Sequence, residues 1–126
     1  MASAATVDEY IADFPPEVSD RLTRVRAEIV EAVAAASGTA PDEKIRYGIA
    51  AVMLGGRYAL HFAGWKKHIG LYPVPPLPEP LEAEITPYRA EKDSVVFPHA
   101  KPVPYDLIGR VARAIAEERV GQPAND

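Results

Sequence analysis

Apolar positions run with a helical period at both ends of the chain and alternate with period two in the middle. Residues 6–9 read Thr-Val-Asp-Glu, a capping box in which the Thr6 hydroxyl serves the Glu9 amide and the Glu9 carboxylate serves the Thr6 amide. A short helix follows with Val7, Tyr10, Ile11 and Phe14 inward, and Pro15-Pro16 stops it. Pro16 suits the first turn of a second helix, where its missing N–H would be unpaired in any case. In that helix Val18, Leu22, Val25, Ile29 and Val33 recur at spacings of three and four, and Ser37-Gly38 closes it. It is long enough to lie across a sheet. At the other end Pro102 and Pro104 precede a last helix whose buried stripe is Leu107, Ile108, Val111 and Ile115.

The middle, residues 43–72, is the stretch the helices are expected to cover. Ile45 and Tyr47 alternate with Lys44 and Arg46 as a short strand that leads through Gly48 into a three-stranded antiparallel meander. Gly55-Gly56 supplies the positive φ values of a two-residue hairpin turn. That turn sets Leu54 opposite Arg57, Met53 opposite Tyr58, Ala51 opposite Leu60 and Ile49 opposite Phe62. A second loop of four residues, 64–67, would set Phe62 opposite Ile69 and Leu60 opposite Leu71. With alternating faces, Ile49, Ala51, Met53, Tyr58, Leu60, Phe62, Ile69 and Leu71 form the core side. Ala50, Val52, Leu54, Ala59, His61, Ala63, His68, Gly70 and Tyr72 form the other, and a one-residue change in the second loop would send His68 and Tyr72 to the core.

Residues 73–78 carry four prolines and read as a stiff extended connection. Pro80 opens a short helix with Leu81 and Ile85 inward, ending near Pro87, and residues 94–97 add an edge strand. The pattern predicts an α+β domain: a single antiparallel sheet of about five strands, its central meander at 49–72, packed by N- and C-terminal helices. The chain reads as one domain over 1–126, ordered over about 6–119, with a flexible tail at 121–126.

Composition changes this picture little. At 126 residues there is length for one core, and 48% hydrophobic with 25% charged residues is ordinary for a globular chain. No apolar run reaches the roughly 20 residues of a membrane span, and the first ten residues lack a basic region followed by an apolar one, so a cytoplasmic, unprocessed protein is expected. Without cysteine there is no disulfide, thiolate nucleophile or sulfur-ligated metal. A net charge of −4 argues against a nucleic-acid footprint.

His61, His68 and Tyr72 are the leading candidates for chemistry. Opposed residues sit about 5 Å apart and diagonal ones about 7–8 Å, so His61, opposite Gly70 and diagonal to His68, would meet it at a metal or an acidic ligand. The competing reading is a set of satisfied, half-buried polar residues, since no carboxylate adjacent in sequence completes a 2-His-1-carboxylate set. Glu43 would approach the same face from a neighbouring strand, beside Lys44, Arg46 and Tyr47, unless that cluster is a solvated edge. Asp8, Glu9, Asp13, Glu17 and Asp20 tilt the first helices acidic, with Glu9 and Asp13 as candidate cation ligands, although Arg21, Arg24 and Arg26 follow at once. Trp65, at a loop tip before Lys66 and Lys67, suits stacking on a flat ligand. Nucleotide, hydrolase and zinc-protease motifs are missing, and no Ser or Thr adjoins a His, which lowers the enzymatic reading.

Four ordered motifs then resemble the YdhG-like domain: TVDEYI with Pro15-Pro16, EKIRYG at 43–48, KHIGLYP at 67–73, and Phe97-Pro98 with Pro102-Val103-Pro104. The likeness covers about residues 6–115. It implies a small α+β domain grouped with YjbR and frataxin-like folds, largely of unknown function. One bacillary member is described as a frataxin-type iron chaperone, so the resemblance implies iron as cargo. Frataxin holds iron on exposed acids of its first helix and adjoining strand, positions that Asp8, Glu9, Asp13, Glu17 and Glu43 would fill here.

Two readings follow. The first is a non-enzymatic domain that binds a small ligand or iron, with Glu43, Tyr47, His61, Trp65, His68 and Tyr72 as ligand residues and Glu9, Asp13, His61 and His68 as metal residues. The second is an interaction or homodimerisation module that uses the open sheet face. An enzyme with His68 as base leaves most of a catalytic site unfilled.

Overall fold

The computed structural model describes residues 4–121. Its elements run α1 (Val7–Ala12), α2 (Pro16–Ser37), β1 (Glu43–Arg46), β2 (Ile49–Leu54), β3 (Arg57–Gly64), β4 (His68–Tyr72), α3 (Leu81–Ile85), β5 (Val95–Pro98) and α4 (Tyr105–Val120), with a 3-10 turn at Thr86–Tyr88. Except for Gly121, the expected tail lies outside the described residues.

Local chemistry sets the helix ends. The Thr6 hydroxyl accepts the Glu9 N–H at 3.1 Å, as a capping box requires, but the Glu9 carboxylate accepts from the Ala5 N–H at 2.9 Å, one residue earlier than expected. α2 begins on Pro16 and ends at Gly38, whose φ of 83° is the left-handed C-cap a glycine adopts without steric cost. The stripes of α2 and α4 face the sheet as predicted, with Leu22, Val25, Ile29, Ile108 and Val111 fully buried.

The strands form one antiparallel meander in the order β1-β2-β3-β4-β5. The fold is α+β, a single five-stranded sheet with helices packed on it. Ala50, Val52, Leu60, Phe62, Ile69, Leu71, Val95 and Phe97 join the helix stripes in one core. Burial of each large member contributes about 1.5–3 kcal/mol, which makes this face the main source of stability.

The register departs from expectation twice. The hairpin begins as predicted, with Gly55 and Gly56 at φ 61° and 83° and Met53 opposite Tyr58. A bulge then intervenes: Val52 pairs with Leu60 and Ala51 with His61, which leaves Ala59 as the extra residue on β3. Every β2 residue before the bulge therefore changes face. Ala50 and Val52, not Ile49, Ala51 and Met53, join the core with Leu60 and Phe62, and Tyr58 stands away from the helices. At the second turn the Trp65 N–H donates to the His68 carbonyl at 2.8 Å, so Lys66 and Lys67 form a two-residue loop in place of the expected four. Phe62 consequently faces Leu71, and His61 faces Tyr72. A slide of two residues preserves faces, so His61, His68 and Tyr72 share one side, as predicted.

Arg89 anchors the proline-rich connection. It donates to the Val74 carbonyl at 2.7 Å, to the Pro75 carbonyl at 3.0 Å and to both Glu82 oxygens at 2.8 Å. Carbonyls without strand partners are thereby satisfied. The Arg89 guanidinium holds the Glu82 carboxyl down at about 2.

Candidate functional site

The face turned away from the helices carries Arg46, Met53, Tyr58, His61, Ala63, Gly70 and Tyr72. His61 is its centre and the only buried polar residue among the described residues, at 5% exposure. Its Nδ1 lies 3.1 Å from the Tyr72 carbonyl oxygen, which can only accept, so Nδ1 carries the proton. In the neutral ring Nε2 is therefore a bare lone pair, and it is buried without a hydrogen-bond partner. Burial, first, and then the nearby charges of Arg46 and Arg119 push the imidazole below its ordinary value of 6.5, against the opposing pull of the Tyr72 carbonyl. His61 is held neutral.

Three strands and a helix end converge around it. The Tyr58 ring, turned to this side by the bulge, lies 5.0 Å from the imidazole, centroid to centroid. Tyr47 lies 6.0 Å away. Tyr47 was expected to continue β1, but it occupies the β1–β2 turn with Gly48, at φ 55° and 77°, and the residue is 85% exposed. The Arg46 guanidinium lies 5.2 Å from the Tyr47 centroid and 5.1 Å from that of Tyr58. Arg119, in the last turn of α4, lies 4.7 Å from Tyr58. β4 ends at Tyr72 opposite His61, so β3 has no β4 neighbour before that point, where Tyr58 meets Arg119. The Arg119 Nε is also buried and unpartnered.

Trp65 and Tyr72 form a neighbouring unit. Trp65 Nε1 donates to the Tyr72 hydroxyl at 2.8 Å, and the phenol lies back over Gly70, whose missing Cβ would sit 1.8 Å from that oxygen. The Trp65 carbonyl accepts from His99 Nε2 at 2.9 Å while His99 Nδ1 accepts from Arg21 Nη1 at 3.1 Å, which fixes the His99 tautomer and ties the loop after β5 to α2.

Other expected members lie elsewhere. His68 shares the face of His61 but begins β4, four residues from Tyr72, about 13 Å along the strand. The slide of the second turn opens that gap, so the two rings do not converge on one ion. Glu43 pairs with Val52 and so points to the helix side, where Arg26 grips both its oxygens at 2.7 Å. Glu9 lies in the first turn of α1 and Asp13 is its C-cap. Among the described residues no group of three or more His, Asp or Glu side chains is placed to hold a metal ion. Arg46, Tyr58 and Arg119 are the members that the sequence did not mark as ligand residues. Arg46 adjoins Tyr47 in the EKIRYG motif, whereas only the bulge exposes Tyr58, and nothing in the sequence links Arg119 to either.

Among solved structures, a DUF1801 family protein, YdhG of Bacillus subtilis, matches with a TM-score of 0.70 over 92% of this chain and 92% of its own, at 18% identity. The fold is YdhG-like. No family model and no curated protein matches the chain. The YdhG likeness carries the architecture and leaves the chemistry to the residues themselves. It lends no support to a frataxin link or to iron handling. No helix among the described residues is long and apolar enough to cross a membrane.

Proposed function

We propose that this YdhG-like domain is a non-enzymatic binder of a small molecule, with the cluster around Tyr58 and His61 as its site. One observation carries the reading. Among the described residues, the two buried side-chain polar atoms without a hydrogen-bond partner, His61 Nε2 and Arg119 Nε, both lie against the Tyr58 ring. A buried acceptor and a buried donor left unmet each cost about 1–3 kcal/mol, and a ligand that moves the covering side chains aside and offers both complements returns part of that free energy as affinity. Aromatic walls with a few convergent polar atoms are the usual make-up of a small-molecule site. Among the described residues no hydroxyl or carboxylate is hydrogen-bonded to His61, so the imidazole has no paired nucleophile to activate.

A fragment library screened by amide and imidazole NMR tests this. Hits should move the Tyr47, Tyr58 and His61 signals and disappear in His61→Phe while core amides stay in place. Hits that ignore His61→Phe, or none at the cluster, would refute the reading. An anaerobic ferrous iron titration in parallel should leave the His61 and His68 ring signals unmoved; saturable shifts at both would restore metal handling.

A further inference from the structure

We infer that the ligand carries an oxyanion, a carboxylate or a phosphate, seated in the groove between β1 and the β2–β3 hairpin. The inference rests on the binding reading above and assigns the chemical class. The groove is bounded by Lys44, Arg46, Met53, Gly56, Arg57 and Tyr58 and encloses about 530 Å³, in the usual size range of small-molecule sites. It shares Arg46 and Tyr58 with the His61 cluster.

Its charge is one-sided. Lys44, Arg46 and Arg57 line it with no carboxylate among the lining residues. None of the three forms a salt bridge among the described residues, as is also true of Arg21, Arg24, Lys66, Lys67, Lys92 and Lys101; what sets this groove apart is that its cations stand beside Tyr58 and the His61 cluster. Arg119 adds a fourth cation on the Tyr58 ring, also without a carboxylate partner among the described residues. Mutual repulsion among these groups is relieved by an anion, and guanidinium forks match the paired oxygens of carboxylate and phosphate. His61, 5% exposed, lies behind Tyr58 and does not itself line the groove.

Titration of the ¹⁵N-labelled full chain at low ionic strength tests the assignment, with citrate as the carboxylate probe and pyrophosphate as the phosphate probe. At least one should give saturable shifts at the Arg46, Arg57 and Tyr58 amides, and the arm that saturates names the oxyanion. Arg46→Gln/Arg57→Gln should weaken that binding at least tenfold, the scale of lost charge-assisted hydrogen bonds. Arg110→Gln, which alters a salt-bridged arginine elsewhere, should leave it unchanged. Unsaturable shifts, or equal weakening by both variants, would overturn the assignment as diffuse charge attraction. If neutral fragments still bind in a His61-dependent way while neither oxyanion moves the groove amides, the oxyanion fails and the binding site stands; if neither occurs, both fail.

Discussion

Replacing Gly70 with Ala should dislodge Tyr72 and destabilise the domain by about 2 kcal/mol. The absent Cβ of Gly70 would sit 1.8 Å from the Tyr72 hydroxyl oxygen and 2.3 Å from its Cζ, so the ring must swing off the strand. That breaks the 2.8 Å bond from Trp65 Nε1, a loss of about 0.5–1.5 kcal/mol. Re-exposure of roughly half of a tyrosine's buried surface, on the order of 80–100 Å², removes about 2 kcal/mol more. Alanine offsets some of this by lowering the chain entropy lost at a strand glycine, by about 0.5–1 kcal/mol. In a chain of 126 residues the net change corresponds to a fall in Tm of about 8 °C. Trp65 is the single tryptophan, so its fluorescence reads the site directly: emission should shift to the red in the native variant and the urea midpoint should drop. An unchanged spectrum together with an unchanged midpoint would refute the proposed packing of Tyr72 over Gly70.

Three other perturbations have defined outcomes. His61 has a folded-state pKa below its ordinary 6.5, so the unfolded chain takes up the proton first and stability falls as pH drops below about 6.5; His61→Phe should flatten that limb of the urea midpoint against pH, where one proton accounts for at most about 1.4 kcal/mol per pH unit. Glu82 has the opposite sign: its carboxyl is lowered from 4.5 to about 2, its contribution is complete above 4.5 and lost between 4.5 and about 2, and Glu82→Gln should remove that acid limb in circular dichroism. Arg26→Gln leaves the half-buried Glu43 without its paired donors and should cost about 1–3 kcal/mol by chemical denaturation, while Asp8→Asn, at a partner with a side chain 81% exposed, should cost under about 1 kcal/mol.

Much of this architecture was legible because its causes are local. Proline before the first turn of α2, glycine in the left-handed cap at position 38, and stripes at three and four set the helices; two glycines with positive φ set the first hairpin. The shared face of His61, His68 and Tyr72 was conditional on the length of the second loop, and it holds because that loop is shorter by two residues, which leaves side-chain parity intact. What the sequence could not show depends on contacts between distant segments. The Ala59 bulge reverses β2 against β3 and carries Tyr58 out of the core, yet no residue at 58–60 announces it, since Ala50 and Val52 are as apolar as the Ala51 and Met53 they displace. Glu43 goes to the helix side because Arg26 waits there on α2. Arg119 meets Tyr58 because β4 stops at Tyr72 and leaves that part of β3 without a β4 neighbour. The sequence by itself determined which segments are helix and strand, since backbone propensity and side-chain periodicity act over a few residues. Tertiary structure alone decided that His61 stands beside Tyr58, Arg46 and Arg119 with an unmet lone pair, because a buried polar atom acquires or loses its partners only when remote elements pack.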